Sequence, residues 1–191
     1  MSQGVKRKRN VAKRDVDRVV EIIRAAGGRI VGRTRLQKVA YLRELAGLGS
    51  GFKFDYHHYG PYSEDLADAA RNAGLLDLLE EKELPTDWGG FYSIFTVEGC
   101  SEKQEFTDTA AGADPIELEL AATAAFLARE GIPNPWKETA RRKPVKAGEN
   151  RLEGAKKLYL KLCRIETPEP LPEITDTVGK TRKFRLSGKA G

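Results

Sequence analysis

Residues 75–96 read LLDLLEEKELPTDWGGFYSIFT, and this stretch decides the fold. Two β-capable runs, Leu75–Glu83 and Phe91–Thr96, flank the turn-rich Pro85-Thr-Asp-Trp-Gly-Gly90. Proline presets one backbone angle and paired glycines accept positive φ, so the runs are expected to fold back as an antiparallel hairpin. Three helical patterns come before it. Three helices followed by a hairpin is the order of a winged helix.

The first helix is expected from Asp15, where Val16, Val19, Val20 and Ile23 recur at i, i+3, i+4, i+7 and share one face. Gly27-Gly28 ends it, since glycine enters the left-handed region without strain. Thr34-Arg-Leu-Gln37 matches a capping box, in which the Thr34 hydroxyl and the Gln37 side chain satisfy each other's amides. The second helix then runs to about Ala46, with Leu36, Val39 and Ala40 inward and Gly47 as the stop. Phe52, Phe54, Tyr56 and His58 alternate, which predicts a short strand over 52–58. Tyr59-Gly60-Pro61-Tyr62-Ser63 reads as a turn into the third helix. Ser63 is placed to cap that helix, Glu64 and Asp65 suit its positive end, and Leu66, Ala69, Ala70 and Ala73 face inward.

Downstream, Asp114-Pro-Ile-Glu117 gives a capping Asp, a first-turn Pro and a reciprocal Glu. The helix behind it is apolar on several sides, as a central buried element should be. Ile132–Trp136 reads as a loop, and Asn150 as the cap of a last helix with Leu152, Ala155, Leu158, Tyr159 and Leu162 inward. The expected class is α+β and mostly helical: a winged-helix-like part over residues 15–98, packed with a helical pair within 114–165. Together they form a single domain, 15–165, between a flexible basic arm (1–14) and an extended basic tail (166–191). Leu36, Val39, Leu66, Leu120 and Leu127 are expected to be buried together.

The net charge of +5 hides strong segregation: +10 over residues 1–43, −13 over 44–119 and +8 over 120–191. Such a distribution favours attraction to a polyanion, steering of a charged partner, or pairing of the two ends with the middle. No apolar run reaches the roughly 20 residues that a membrane-spanning helix needs. The basic start is not followed by the apolar stretch of a secretory signal, so the cytoplasm is the expected compartment. Cys100 and Cys163 are distant and lack CxxC spacing, so they read as free thiols.

Catalytic patterns fail one by one. Val178-Gly-Lys-Thr181 has the end of a phosphate-binding loop, but Ile174 stands where that loop needs its first glycine. His57 and His58, the chain's two histidines, are strand neighbours that point to opposite faces; one is expected packed, the other exposed, and together they make no metal site. Ser63 lacks a nucleophile elbow and has a structural role as a cap. No enzyme, cofactor or metal is expected.

The motif Leu36-Gln37-Lys38-x-x-Tyr41-Leu42, followed by Phe54-x-Tyr56-x-x-Tyr59-Gly60-Pro61-Tyr62-Ser63, Leu66 and Ala73-Gly74-Leu75, resembles the YwgA-like proteins. These are similar in turn to the Panacea (SocA-like) antitoxin domains. Leu118–Leu127, Trp136 and Lys143-Pro144 resemble the helical half of that group. The resemblance covers roughly residues 15–163. It implies a non-enzymatic, winged-helix-related module that neutralises a toxin or delivers one to a protease as an adaptor.

Two binding modes follow. Tyr41, Tyr56, His57, Tyr59 and Tyr62 concentrate aromatic character and are candidates for gripping a protein partner, a toxin or other acidic protein. Lys6, Arg7, Lys8 and Arg9 on the arm, with Arg33, Arg35 and Lys38 around the second helix, are candidates for nucleic-acid phosphate contact. The third helix carries Glu64, Asp65 and Asp68 against Arg71 alone, a poor set for reading base edges. A protein partner is therefore favoured over a DNA-binding regulator.

Overall fold

The computed structural model describes residues 2–87, 89–99 and 102–175, with side chains from residue 14 onward. Within these residues the chain forms α1 (Ser2–Ala25), β1 (Arg29–Val31), α2 (Arg33–Leu45), β2 (Asp55–His57), β3 (Gly60–Tyr62), α3 (Glu64–Leu75), β4 (Glu80–Pro85) and β5 (Phe91–Thr96). Four further helices follow: α4 (Glu105–Gly112), α5 (Pro115–Arg129), α6 (Pro135–Arg142) and α7 (Arg151–Cys163). The class is α+β and mostly helical, with three helices ahead of the β4–β5 hairpin.

β4 and β5 pair antiparallel from Glu80↔Thr96 to Pro85↔Phe91. A strand that the periodicity did not signal, β1, adds to the other side of β5 and makes a sheet ordered β1-β5-β4. Three residues are too few to show a period of two. Ile30 of β1 and Phe95 of β5 are register partners, and both are buried.

The first helix extends further than expected. Its backbone is helical from Ser2 rather than from Asp15. Lysine and arginine are good helix formers, and a run of them continues a helix that its apolar half has nucleated. The second helix begins at Arg33 behind Gly32, with no side-chain cap, so the Thr34–Gln37 box does not form. The strand is shorter than 52–58, and Gly60–Tyr62, expected as a turn, is a strand paired with it through Asp55↔Tyr62, Tyr56↔Pro61 and His57↔Gly60. Ser63 does cap α3, its Oγ accepting from the Leu66 amide at 3.3 Å.

α5 is the central element. Asp114 caps it by accepting from the amides of Ile116 and Glu117, and Leu118, Leu120, Ala121, Ala124 and Ala125 are fully buried. It packs against α2, β3, α6 and α7. The helical pair expected within 114–165 is three helices there, preceded by α4; Trp136, assigned to a loop, lies in α6 and packs edge-on against Tyr159. Asn150 precedes α7 without a side-chain cap bond. Leu36, Val39, Leu66, Leu120 and Leu127, the core residues named from sequence, are all buried.

Two side chains tie the layers. Arg43, almost fully buried, donates to Glu21, Gln104 and Thr107 and so joins α1, α2 and α4. The start of the expected tail is also held: Leu171 is buried, Tyr159 Oη donates to the Pro172 carbonyl at 2.7 Å, and Glu169 N donates to the Ala46 carbonyl at 3.1 Å.

Candidate functional site: the β2–β3 hairpin and its buried support

The short β2–β3 hairpin carries most of the aromatic motif, and its shape depends on glycine. Gly60 has φ +87, and a Cβ there would lie 2.6 Å from Thr123 Oγ1 on α5. Both the backbone angle and the close approach exclude a larger residue.

Beneath the hairpin lies a polar network that is unusually charged for a buried place. Gln37 faces the main chain of Ser63 and bonds it in both directions: Nε2 donates to the carbonyl at 2.9 Å, and Oε1 accepts from the amide at 2.8 Å. Lys38 is 1% exposed, and its Nζ donates to the Pro61 carbonyl at 2.6 Å. On the far side, Glu119 of α5 is 3% exposed and accepts from Lys143 at 2.7 Å and from Lys146 at 2.7 and 2.8 Å. Lys143 also donates to the His58 carbonyl at 3.0 Å. The hairpin main chain is therefore anchored at His58, Pro61 and Ser63, with Lys38 and Lys143 supplying two of the anchors. Burial pushes the Lys38 ammonium down to about 7; Glu119 opposes that shift, and Lys143 and Lys146 add to it.

The exposed side is aromatic and basic. Tyr59 is 54% exposed, with its ring edge-on to His58 and 4.8 Å below the Lys146 ammonium. Tyr56, half-buried, has the Arg142 guanidinium 4.8 Å above its ring and Phe126 behind it. His57 stacks on Tyr62 at 5.0 Å. Glu138, flanked by Arg141 and Arg142, has its carboxyl held well below the usual range by bonds to both. Arg141, Arg142, Lys143 and Lys146 thus face two carboxylates, Glu138 and Glu119, which leaves the α6 flank of the hairpin net positive.

The residues named from sequence separate into distinct environments. Tyr56, His57, Tyr59 and Tyr62 come together on the hairpin. Tyr41 does not join them: it is 1% exposed and packs on Phe54 and Phe126, because its helical position points into the core. Both histidines are exposed, contrary to the expected packed-and-exposed pair, since the strand ends at His57.

The nucleic-acid set is largely committed elsewhere. Arg33 is exposed but paired with Glu81 and Glu83 on β4. Arg35 donates to the carbonyls of Val31, Ala111 and Ala113, and Lys38 is buried as described. None of the three presents a free cation. The side chains of Lys6, Arg7, Lys8 and Arg9 lie outside the described residues, as do Cys100 and the Val178–Thr181 segment.

Sequence reading missed Glu119, Arg142, Lys143 and Lys146. One signal was available for the first: Glu119 is a carboxylate inside the run Leu118-Glu-Leu-Ala-Ala, and an acid among core positions implies a buried partner.

With this geometry in view, one likeness stands out. The chain is similar to the YwgA protein of Bacillus subtilis (strain 168). The two are 37% identical over 68 residues, which is 34% of this chain and 38% of YwgA. The likeness supports a YwgA-like relationship, and it spans well under half of the relative's length. No family model matches the chain. No solved structure matches it. None of the helices described is long and apolar enough to cross a membrane.

Proposed function

We propose that this chain is a non-enzymatic binding module that grips an acidic protein partner with the β2–β3 hairpin. The observation that carries this reading is Tyr59, a large aromatic left half-exposed yet fixed between His58 and Lys146 above an anchored main chain. An exposed aromatic ring held in place loses little conformational entropy on binding, which is why such rings dominate protein interfaces. The net-positive surround supplies charge complementarity to an acidic surface.

The winged-helix-like order of the first half and the resemblance to Panacea domains make a toxin, or a toxin handed to a protease, the first class of partner to test. Phosphate contact with nucleic acid is the lesser reading, because Arg33, Arg35 and Lys38 are engaged within the chain.

The test is recovery of the tagged chain from its own cells, in parallel with and without nuclease. Proteins retained by the wild type and lost from Tyr59→Ala support the proposal. Nuclease-sensitive nucleic acid retained equally by Tyr59→Ala, with no such protein, refutes it.

A further inference from the structure

We infer that the groove between the C-terminal ends of α1 and α3 and the base of the β4–β5 hairpin is the docking site of this chain's own C-terminal segment, residues 182–186. The inference is independent of the hairpin reading above.

The groove has a volume of about 770 Å³ and is lined by Arg24, Leu75, Leu78, Glu80, Val97 and Glu98, among others. Leu75 is 78% exposed and Leu78 is 47% exposed, and Leu76 beside them is exposed as well. Three exposed leucines within four residues form an apolar patch at a helix end, where a polar cap would ordinarily stand. The rim is acidic. Glu81 is occupied by Arg33, while Asp77, Glu80 and Glu98 have no ion-pair partner among the described residues. A segment that fits must therefore be apolar and cationic at once.

The chain holds one such segment within reach. Arg182-Lys-Phe-Arg-Leu186 alternates Phe184 and Leu186 with Lys183 and Arg185, and residues 176–191 carry five cations against Asp176. In an extended chain this alternation puts the two apolar side chains on one side, toward Leu75 and Leu78. The long cations then extend to Asp77, Glu80 and Glu98 at the rim.

Length also permits it. Glu169 bonds Ala46 at the end of α2, and the chain is last pinned three residues on, where the Pro172 carbonyl accepts from Tyr159. The other end of α2 is at Arg33, which holds Glu81 at the groove. A helix of 13 residues spans about 20 Å. Nine extended residues from 175 to 184 span up to about 30 Å. The basic start of α1 cannot serve instead: Arg24 at the groove is the far end of a 24-residue helix about 36 Å long. A second copy apposed through β4 would set Glu80, Glu81 and Glu83 against their own counterparts, which like charge disfavours.

The experiment places a nitroxide on Ser187→Cys in the full chain, with Cys100→Ser and Cys163→Ser, and reads amide intensities by NMR. Amides of residues 74–80 and 97–98 should lose more than half their intensity relative to the reduced label, unchanged by dilution. The loss should vanish in 0.5 M salt and in the double variant Phe184→Asp, Leu186→Asp, whose spectrum otherwise matches and so reports on docking rather than folding. Undiminished intensities at those amides overturn the inference. So does equal broadening of an isotope-labelled copy without nitroxide when a spin-labelled, isotopically silent copy is added, which would mean a tail donated by a second molecule.

Discussion

Lys38 donates from inside the core to the carbonyl of Pro61, 2.6 Å away, so a buried ammonium holds the strand that precedes α3. The same ammonium lies close enough to Glu119, Lys143 and Lys146 to be influenced by all three. An interior lysine with two lysines and one glutamate as charged neighbours is costly when protonated, and this has a measurable consequence.

Because burial lowers the Lys38 value to about 7, the unfolded chain binds more protons than the folded one between that pH and the ordinary lysine range near 10.4. The destabilisation is full below about pH 7 and is relieved as pH rises toward 10. Relative to Lys38→Met, the wild type should gain on the order of a few kcal/mol between pH 7 and pH 10. Paired urea titrations across that range check it. A wild-type-to-variant difference independent of pH would mean that Lys38 stays protonated throughout.

Gln37 should matter more to stability than Ser63. Gln37→Leu leaves the buried amide of Ser63 without its partner, at about 1–3 kcal/mol, and removes one of two bonds to its carbonyl, which still accepts from Ala67. Ser63→Ala removes only the cap bond to Leu66, about 0.5–2 kcal/mol. Thermal or urea denaturation of both variants gives the order. Ser63→Ala with unchanged stability but abolished partner binding would make the hydroxyl functional rather than structural.

Leu120→Ala tests whether the two halves share a core. Leu120 is fully buried on α5, which packs on α2 as well as on α6 and α7. Truncation should cost about 2–5 kcal/mol. A loss within about 0.5 kcal/mol would mean that the helical half contributes little to holding the first.

Helices whose signal is local were legible in the sequence. Val16, Val19, Val20 and Ile23 lie on the face their spacing gives, and Ser63 and Asp114 cap the helices they precede. Where a local pattern competed with a distant partner, the distant partner prevailed. Gln37 fits a capping box with Thr34, yet its amide finds the main chain of Ser63, 26 positions on, where both bonds are sheltered from water. The support of the hairpin was illegible for a related reason: Lys38, Lys143 and Glu119 are ordinary surface residue types, and only the three-dimensional meeting of α2, α5 and the chain after α6 buries them. The aromatic motif itself was visible, but periodicity could not show that Tyr41 faces inward while Tyr59 faces out.

The most direct measurement is the affinity of the recovered partner for three forms of the chain: wild type, Tyr59→Ala, and a deletion of residues 2–12. Titration calorimetry with purified components gives all three values. Truncating an anchoring aromatic should weaken binding at least tenfold, the equivalent of about 1.4 kcal/mol, while the deletion changes affinity by less than threefold. The contrary result is weaker binding on deletion with Tyr59→Ala unaffected, together with duplex DNA binding whose salt slope falls by about 0.9 for each phosphate that the deletion leaves without a cation. That outcome would place function on the basic start of α1 and remove it from the hairpin.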